Sequence, residues 1–121
     1  MVVTRLDHVQ LAMPIGGESA AVSFYEGLLA IPHVAKPPHL AARGGCWFEH
    51  RAVKIHLGVE ESFTPAKKAH PAFRVTGIAT LRRQLIAAGE APVDDDALPG
   101  YDRFYLNDPF GNRLEFLERT R

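Results

Sequence analysis

The chain has 121 residues, of which 46% are apolar, 9% aromatic and 23% charged, a composition typical of one globular domain. Fourteen Lys and Arg residues balance fourteen Asp and Glu residues, which argues against nucleic acid or an anionic lipid surface as a partner. The single cysteine, Cys46, excludes an intramolecular disulfide, and no apolar run resembles a signal peptide or a membrane span, so we expect a cytoplasmic protein.

The first half of the chain predicts a strand, a helix and three further strands. Alternation over residues 6–13 predicts a half-buried strand with His8 and Gln10 on the face opposite its apolar residues. Apolar residues at helical spacing over residues 21–28 predict an amphipathic helix that ends before Pro32. Three extended segments follow, at residues 33–36, 45–49 and 52–59.

The second half predicts the same order of elements. A strand over residues 70–75 is followed by a helix that ends at Gly89, a residue suited to the left-handed position after a helix. The turn-rich stretch 107–112 precedes the last strand. The helix has the apolar stripe Ile78, Leu81, Leu85 and Ile86, and strands are predicted near Val93, at residues 103–106 and through Leu114 and Phe116.

Superposing the two halves pairs residues that can bind metals. His8 falls on His70. Residues 54–57 fall on a segment of the second half in which Glu115 takes the place of His56, and the sequence separation is nearly the same for both pairs. An approximate two-fold between the halves would bring the non-helical faces of these four strands together. We therefore predict that three imidazoles and one carboxylate converge.

Such a donor set predicts a metal centre of catalytic type. Imidazole nitrogen with one carboxylate suits a divalent ion such as Fe, Mn, Ni, Co or Zn. Two or three histidines and one carboxylate leave coordination positions free for water or for a substrate with two oxygens. The sequence therefore predicts an open divalent metal site.

Four stretches carry a resemblance to a known family: residues 6–12, 24–29, 70–75 and, most specifically, 107–116 with its Asp-Pro-Phe-Gly turn before a glutamate. They resemble the vicinal oxygen chelate superfamily of glyoxalases, bleomycin resistance proteins and dioxygenases. The resemblance implies an α+β fold in which two βαβββ modules form a curved mixed sheet with helices on the outer face. The modules would cover residues from about 4 to 60 and from about 68 to 119 of a single domain.

The same resemblance assigns metal ligands residue by residue. It places the ligands of the first, fifth and eighth strands at His8, His70 and Glu115. The fourth-strand position, a glutamate in glyoxalase I enzymes and a glutamine in methylmalonyl-CoA epimerases, is His56 here. His56 would then be a fourth ligand, a hydrogen-bond donor to a ligand or a general base.

The leading functional hypothesis is a metal-dependent glyoxalase-like enzyme of lyase or isomerase type. It would act on a small molecule that chelates the ion through two neighbouring oxygens, while Glu115 or His56 moves a proton. Alternatives are a metal-free bleomycin-type drug-binding protein, an Fe(II) extradiol-type dioxygenase and a fosfomycin-type transferase. Tyr105 resembles a tyrosine of the fosfomycin enzymes, whereas Gln10 stands where they have a threonine.

Several further residues are candidates for contacts with the substrate. Aromatic residues would line the cup, and basic residues near it would either hold a carboxylate or phosphate or form a solvated rim. We also expect a homodimer, since small members of this superfamily commonly pair. The candidate lining residues are Gln10, Trp47, Phe48, Arg103, Phe104 and Tyr105, and the candidate basic residues are Arg43, Lys67, Lys68 and Arg103.

Overall fold

The two halves of the chain fold with the same order of elements. A computed structural model describes residues 1–120 and divides the chain into two compact units, Met1–Pro65 and a second unit that begins at Ala66. The division falls between the two predicted modules. Each unit follows the βαβββ order, so the predicted α+β fold class is confirmed.

The first unit has a helical layer that packs on one sheet. Its strand order is β1-β4-β3-β2, with β1 parallel to β4 and the other pairs antiparallel. The short helix α2 was not predicted from the sequence. The bounds are β1 Val9–Met13, α1 Glu18–Ala21, a π-helical segment Val22–Leu28, β2 His33–Val34, α2 Pro38–Ala41, β3 Cys46–His50 and β4 Val53–Val59.

The second unit repeats this topology within its described residues. The strand order is β5-β8-β7-β6, again with the first and last strands parallel. Its helix ends in a Schellman motif, in which the amide of Glu90 donates to the carbonyl of Leu85 and Gly89 has φ of +88°. The bounds are β5 Ala72–Arg74, α3 Ile78–Ala87, β6 Val93–Asp94, β7 Tyr101–Asn107 and β8 Arg113–Arg119.

The strand registers place the predicted residues in equivalent positions. In the first unit Gln10 pairs with His56, and in the second Ala72 pairs with Glu115. His8 and His70 each lie two residues before the strand residue of their pair, so they are equivalent as well. The repeat inferred from the sequence is therefore the repeat of the fold.

Each sheet buries its apolar face under the helical layer of its own unit. The ring of Tyr25 in the π-helical segment stacks on Phe48 of β3 at 5.2 Å. In the second unit the ring of Phe104 stacks on Phe116 at 5.0 Å. Ile86, predicted in the apolar stripe of α3, is exposed instead, because the helix presents mainly Ile78 and Leu85 to its unit's core.

The Asp-Pro-Phe-Gly stretch forms a buried structural turn before β8. The Asp108 carboxylate accepts the backbone amides of Phe110 and Asn112, each at 2.9 Å. The Asn112 side chain donates to Asp108 at 3.0 Å and accepts the amide of Ala66 at 3.0 Å. These bonds satisfy two buried polar side chains and fix the start of β8, two residues before Glu115.

The carboxylate of Glu118 has a structural role that the sequence does not reveal. It accepts the amides of Gly77 and Ile78 at 3.0 and 2.9 Å, which are free donors at the start of α3. These bonds lower the pKa of Glu118.

Among residues 1–120 no helix is long and apolar enough to span a membrane.

Candidate active site

Cross-strand pairing brings the predicted site residues of each unit onto the sheet face opposite its core. On the first sheet His56 pairs with both Gln10 and Trp47. On the second sheet Glu115 pairs with Tyr105, the equivalent of Trp47. Directly paired residues point to the same side of a sheet, so each row presents its side chains together.

In the first unit three rings form a continuous stack. The His56 ring lies between the Trp47 indole, with centroids 4.1 Å apart, and the His8 ring at 4.3 Å. The planes are nearly parallel, with interplanar angles of 6° and 21°. The stack therefore holds His8, which precedes β1 and is itself exposed, against the buried ring of His56.

Carboxylates fix both imidazoles of this stack. Glu49, two residues after Trp47 on the same face of β3, places Oε2 at 2.7 Å from Nε2 of His56, which is only 5% exposed. Asp7 places Oδ2 at 3.0 Å from Nδ1 of His8. The hydrogen bond from His8, followed by the charge of Lys54, lowers the pKa of Asp7. Each ring nitrogen that faces a carboxylate acts as the donor, which selects the tautomer of the ring.

In the second unit a single histidine lies between two acceptors. Nδ1 of His70 is 2.8 Å from the carbonyl oxygen of Lys68, and Nε2 is 2.9 Å from Oε1 of Glu115. A neutral imidazole has one N–H and can donate to only one of them. The tautomer of the ring therefore decides whether the carbonyl or the carboxylate receives the hydrogen bond.

Glu115 is held in its ionised form by its neighbours. Burial, which leaves it 7% exposed, raises its pKa, but hydrogen bonds from His70 and Arg103 outweigh burial, and the net pKa is lowered. Nη1 of Arg103 donates to Oε2 at 3.1 Å, while Nη2 lies 3.3 Å from Asp95. Nε of Arg103 is buried without a partner among the described residues. The carboxylate therefore faces two cationic or donor groups.

Tyr105 completes this row with its aromatic ring. It meets the His70 ring edge-on at a centroid distance of 5.4 Å. The Arg113 guanidinium lies over the Tyr105 ring at 3.9 Å, a cation–π contact. Tyr105 and Arg113 also line a cavity of about 290 Å³ in this unit, together with Asp95.

The four predicted donors form two pairs, His8 with His56 and His70 with Glu115. Among residues 1–120 of one chain, no group of three or more His, Cys, Asp or Glu side chains is placed to hold a metal ion. The pair of the second unit, 2.9 Å apart at hydrogen-bond distance, joins one imidazole nitrogen and one carboxylate oxygen, which are donor types that borderline divalent ions prefer.

The orientation of His70 also favours a metal ligand. A histidine that binds a metal through Nε2 commonly donates its Nδ1–H to a backbone carbonyl, which fixes the ring. The carbonyl of Lys68 has this position. The donor chemistry and the ring orientation of His70 and Glu115 therefore suit a divalent ion.

Two aromatic residues predicted to line the site lie in the core instead. Phe48 and Phe104 are both 0% exposed and pack against the apolar faces of their sheets. Adjacent strand residues point to opposite faces, so Phe48 cannot share the open face with Trp47. This correction follows from alternation alone and was available in the sequence.

Sequence reasoning missed the carboxylate partners of the site, which are Asp7, Glu49 and Asp95. Glu49 could have been found, because it lies two residues after Trp47 and so shares the face of His56. No pattern pointed to Asp95, which reaches Arg103 from the loop after β6.

Cys46 is buried, and burial raises its pKa to about 11, as expected for a packed thiol.

Comparison with known proteins places this fold. A protein assigned to the glyoxalase family from Bacillus anthracis is 46% identical, with 99% of this chain and 98% of that chain covered and a TM-score of 0.96. Its likeness extends over the whole length of both chains. The sequence matches no protein-family model and no curated protein.

Two more distant structures share the fold alone. The fosfomycin resistance protein FosX from Listeria monocytogenes is 14% identical with a TM-score of 0.78, over 98% of this chain and 96% of that chain. Lactoylglutathione lyase from Agrobacterium tumefaciens is 15% identical with a TM-score of 0.74, over the same shares of the two chains. From the repeated βαβββ units and the close similarity to the Bacillus anthracis protein, this chain belongs to the glyoxalase family of the vicinal oxygen chelate superfamily.

Proposed function

We propose that the protein is a metal-dependent glyoxalase-like enzyme of lyase or isomerase type that acts on a small molecule with two neighbouring oxygens. The observation that carries this proposal is the His70–Glu115 pair. Its imidazole nitrogen faces an ionised carboxylate at 2.9 Å while the other ring nitrogen is held by a carbonyl. These two groups would hold a divalent cation as ligands, with both acting as acceptors.

The ligands would be His70 and Glu115 with His8, and the ion when bound would supply Lewis acidity toward a substrate carbonyl. Arg103 keeps Glu115 ionised and oriented by donating to Oε2. The low pKa of Glu115 suits a ligand better than a proton acceptor, because a weak base takes up a proton poorly near neutral pH.

His56 is the better candidate for the proton transfer. Its Nε2 is bonded to Glu49 at 2.7 Å, which leaves Nδ1 as the nitrogen able to accept a proton. Trp47 and His8 clamp the ring from its two faces and fix its plane. In this arrangement Glu49 is a positioning residue that selects the tautomer of His56.

We also propose that a complete metal site needs two copies of the chain. Each unit supplies its donors as a pair, His8 with His56 and His70 with Glu115. In the predicted homodimer, His8 of one copy would complete the His70–Glu115 pair of the other. We further propose a small-molecule partner and a cytoplasmic location.

Metal titration tests the ligand assignment. We expect calorimetry with Ni²⁺ to show stoichiometric binding, and His70→Ala to weaken it by more than the roughly 10–100-fold that loss of an outer-shell partner causes. His50→Ala, which changes an exposed histidine, is the matched control and should bind as the parent does. Equal affinity of His70→Ala and the parent would contradict the assignment.

Mixed dimers test whether the site is shared between copies. His8→Ala and His70→Ala should each lose metal binding when purified alone. When the two variants are refolded together, the mixed dimer should regain up to half of the metal sites. One of its two sites then combines the intact His8 of one copy with the intact His70 and Glu115 of the other. No recovery in a verified mixed dimer would show that the site is not shared.

Acidification provides a further test. Ligating histidines must be neutral, so metal affinity should fall as the pH drops below about 6.5, the ordinary pKa of histidine. A Ni²⁺ titration between pH 5 and pH 8 measures this. Undiminished affinity at the acidic end would argue against histidine ligands.

Metal-free binding of an aromatic ligand is a second candidate function. The observation that favours it is that His8, His56 and His70 each already have a protein partner. In that case a planar ligand would quench Trp47 fluorescence equally with and without a chelator. Ring-cleaving dioxygenation and fosfomycin-type transfer stay predictions of the family resemblance.

A further inference from the structure

A cavity of about 260 Å³ opens in the first unit beside the row of His56. It lies among β1, β3, β4 and the segment that carries α2. Trp47 is part of its wall and also stacks on His56, so the cavity adjoins the proposed proton-transfer residue. The lining residues are Gln10, Lys36, Leu40, Arg43, Gly44, Trp47, Leu57, Gly58 and Val59.

Two cations and one carboxylate stand at this cavity. Lys36 and Arg43 line it, and Glu18 lies behind Gly44, where its Oε2 would be 3.1 Å from a Cβ on that glycine. Nζ of Lys36 donates to the carbonyl of Gly44, which holds the ammonium at the wall. Neither cation forms an ion pair within residues 1–120. Glu18 is bonded to the backbone amide of Gly45, and the two cations outnumber it, so the cavity favours an anionic occupant.

Glycines make the close approaches that shape the wall. A Cβ on Gly58 would lie 2.5 Å from Nε2 of Gln10, so the absence of a side chain lets the Gln10 amide lie over β4. A Cβ on Gly45, which has φ of +81°, would lie 2.1 Å from the carbonyl oxygen of Leu57. Glu18 fixes this turn by accepting the Gly45 amide at 2.7 Å. The cavity is therefore bordered by positioned backbone and by a primary amide.

We infer that this cavity binds an oxyanion group of the substrate, a carboxylate or a phosphate, through Arg43 and Lys36. The Gln10 amide supplies an additional donor, and Trp47 separates the anion from His56. The inference rests on the proposed function for its substrate and names the class: a small anionic molecule whose reacting part lies beside His56. None of the other three basic candidates lines the cavity: Lys67 and Lys68 are exposed, and Arg103 donates to Glu115 in the second unit.

Fluorescence of the single tryptophan tests the inference without any metal. Trp47 emission would be followed while inorganic phosphate or acetate replaces chloride at constant ionic strength and pH. We expect a saturable change with at least one of the two anions. Arg43→Gln should raise the apparent Kd at least about tenfold, the effect of losing one charge-assisted contact.

The controls separate a built site from a basic surface. Lys67→Gln removes an exposed cation outside the cavity and should leave the Kd unchanged. Arg43 is exposed, so its replacement should not affect folding, which far-UV circular dichroism verifies. Lys36→Gln should also weaken binding. The inference is overturned if neither anion gives a saturable change, or if Arg43→Gln and Lys67→Gln bind alike.

The outcome is independent of metal binding. A protein that binds phosphate in this cavity but no Ni²⁺ would retain the subsite and lose the proposed function. A protein that binds Ni²⁺ at His70 but binds neither anion would retain the proposed function and lose the anion subsite.

Discussion

In the first unit His56 faces Trp47 across β3 and β4, and in the second unit Glu115 faces Tyr105 across β7 and β8. The positions are equivalent, but their surroundings are opposite in chemistry. His56 is an imidazole clamped between rings and bonded to a carboxylate, whereas Glu115 is a carboxylate bonded to an imidazole and to Arg103. The shared topology determines where a side chain stands, and its neighbours determine what it can do.

The same contrast extends to residues on either side of the row. Cys46 and Phe104 are equivalent buried positions, so the second core has a large ring where the first has a thiol. Gly45 occupies the position of Arg103, so the first unit has no cation there. The two units can therefore be distinguished by substitutions at matched positions.

The largest expected effect is on stability at the core pair. Phe104→Ala removes a fully buried ring that stacks on Phe116, and should lower the free energy of unfolding by about 3–5 kcal/mol. Cys46→Ala removes a single heavy atom, the buried sulfur, and should lower the free energy of unfolding by about 1 kcal/mol. Urea unfolding measures both. Equal losses would mean that the two cores do not differ as their packing indicates.

The next effect is on acid stability. Glu115 has a lowered pKa in the folded protein, so its stabilising contribution is complete above its ordinary value of 4.5 and is lost as the pH falls through the folded value. Arg103→Met removes one cause of the lowering, so the contribution of Glu115 should be smaller and its loss should be complete at a higher pH. Unfolding midpoints between pH 2 and pH 6 test this.

Arg113→Met is the matched control for this comparison, because Arg113 contacts the Tyr105 ring rather than the carboxylate. Its acid profile should follow that of the parent. Identical profiles for the Arg103 and Arg113 variants would show that Arg103 does not hold Glu115 ionised.

The smallest effect concerns the ends of the two main helical segments. Both end in the left-handed conformation, at Ala30 with φ of +59° in the first unit and at Gly89 with φ of +88° in the second. Gly89→Ala should lower stability by about 1–2 kcal/mol, because alanine is strained in the left-handed conformation. A steric clash would not add to this loss, because the new Cβ would meet no atom within 4 Å. Ala30→Gly should raise stability by less than about 1 kcal/mol. Melting temperatures of the pair test whether the opposite signs hold.

Much of this architecture was predictable because its causes are local. Alternation in β4 placed His56 opposite Ile55 and Leu57, and the structure buries the latter two in the core. The recurrence of the same pattern gave the correct equivalence of His8 with His70. Helix and strand boundaries shifted by a few residues, and His8 lies just before β1 rather than within it.

The amino-acid sequence by itself determined the order of elements, the repeat, and the side of the sheet on which each candidate residue stands, since these follow from periodicity and turn residues. Only the tertiary structure decided the other partners: the Lys68 carbonyl for His70, and Arg103 with Asp95 beside Glu115. These partners lie on neighbouring strands or in loops, so strand twist and side-chain rotamers, which no local pattern encodes, determine which groups meet.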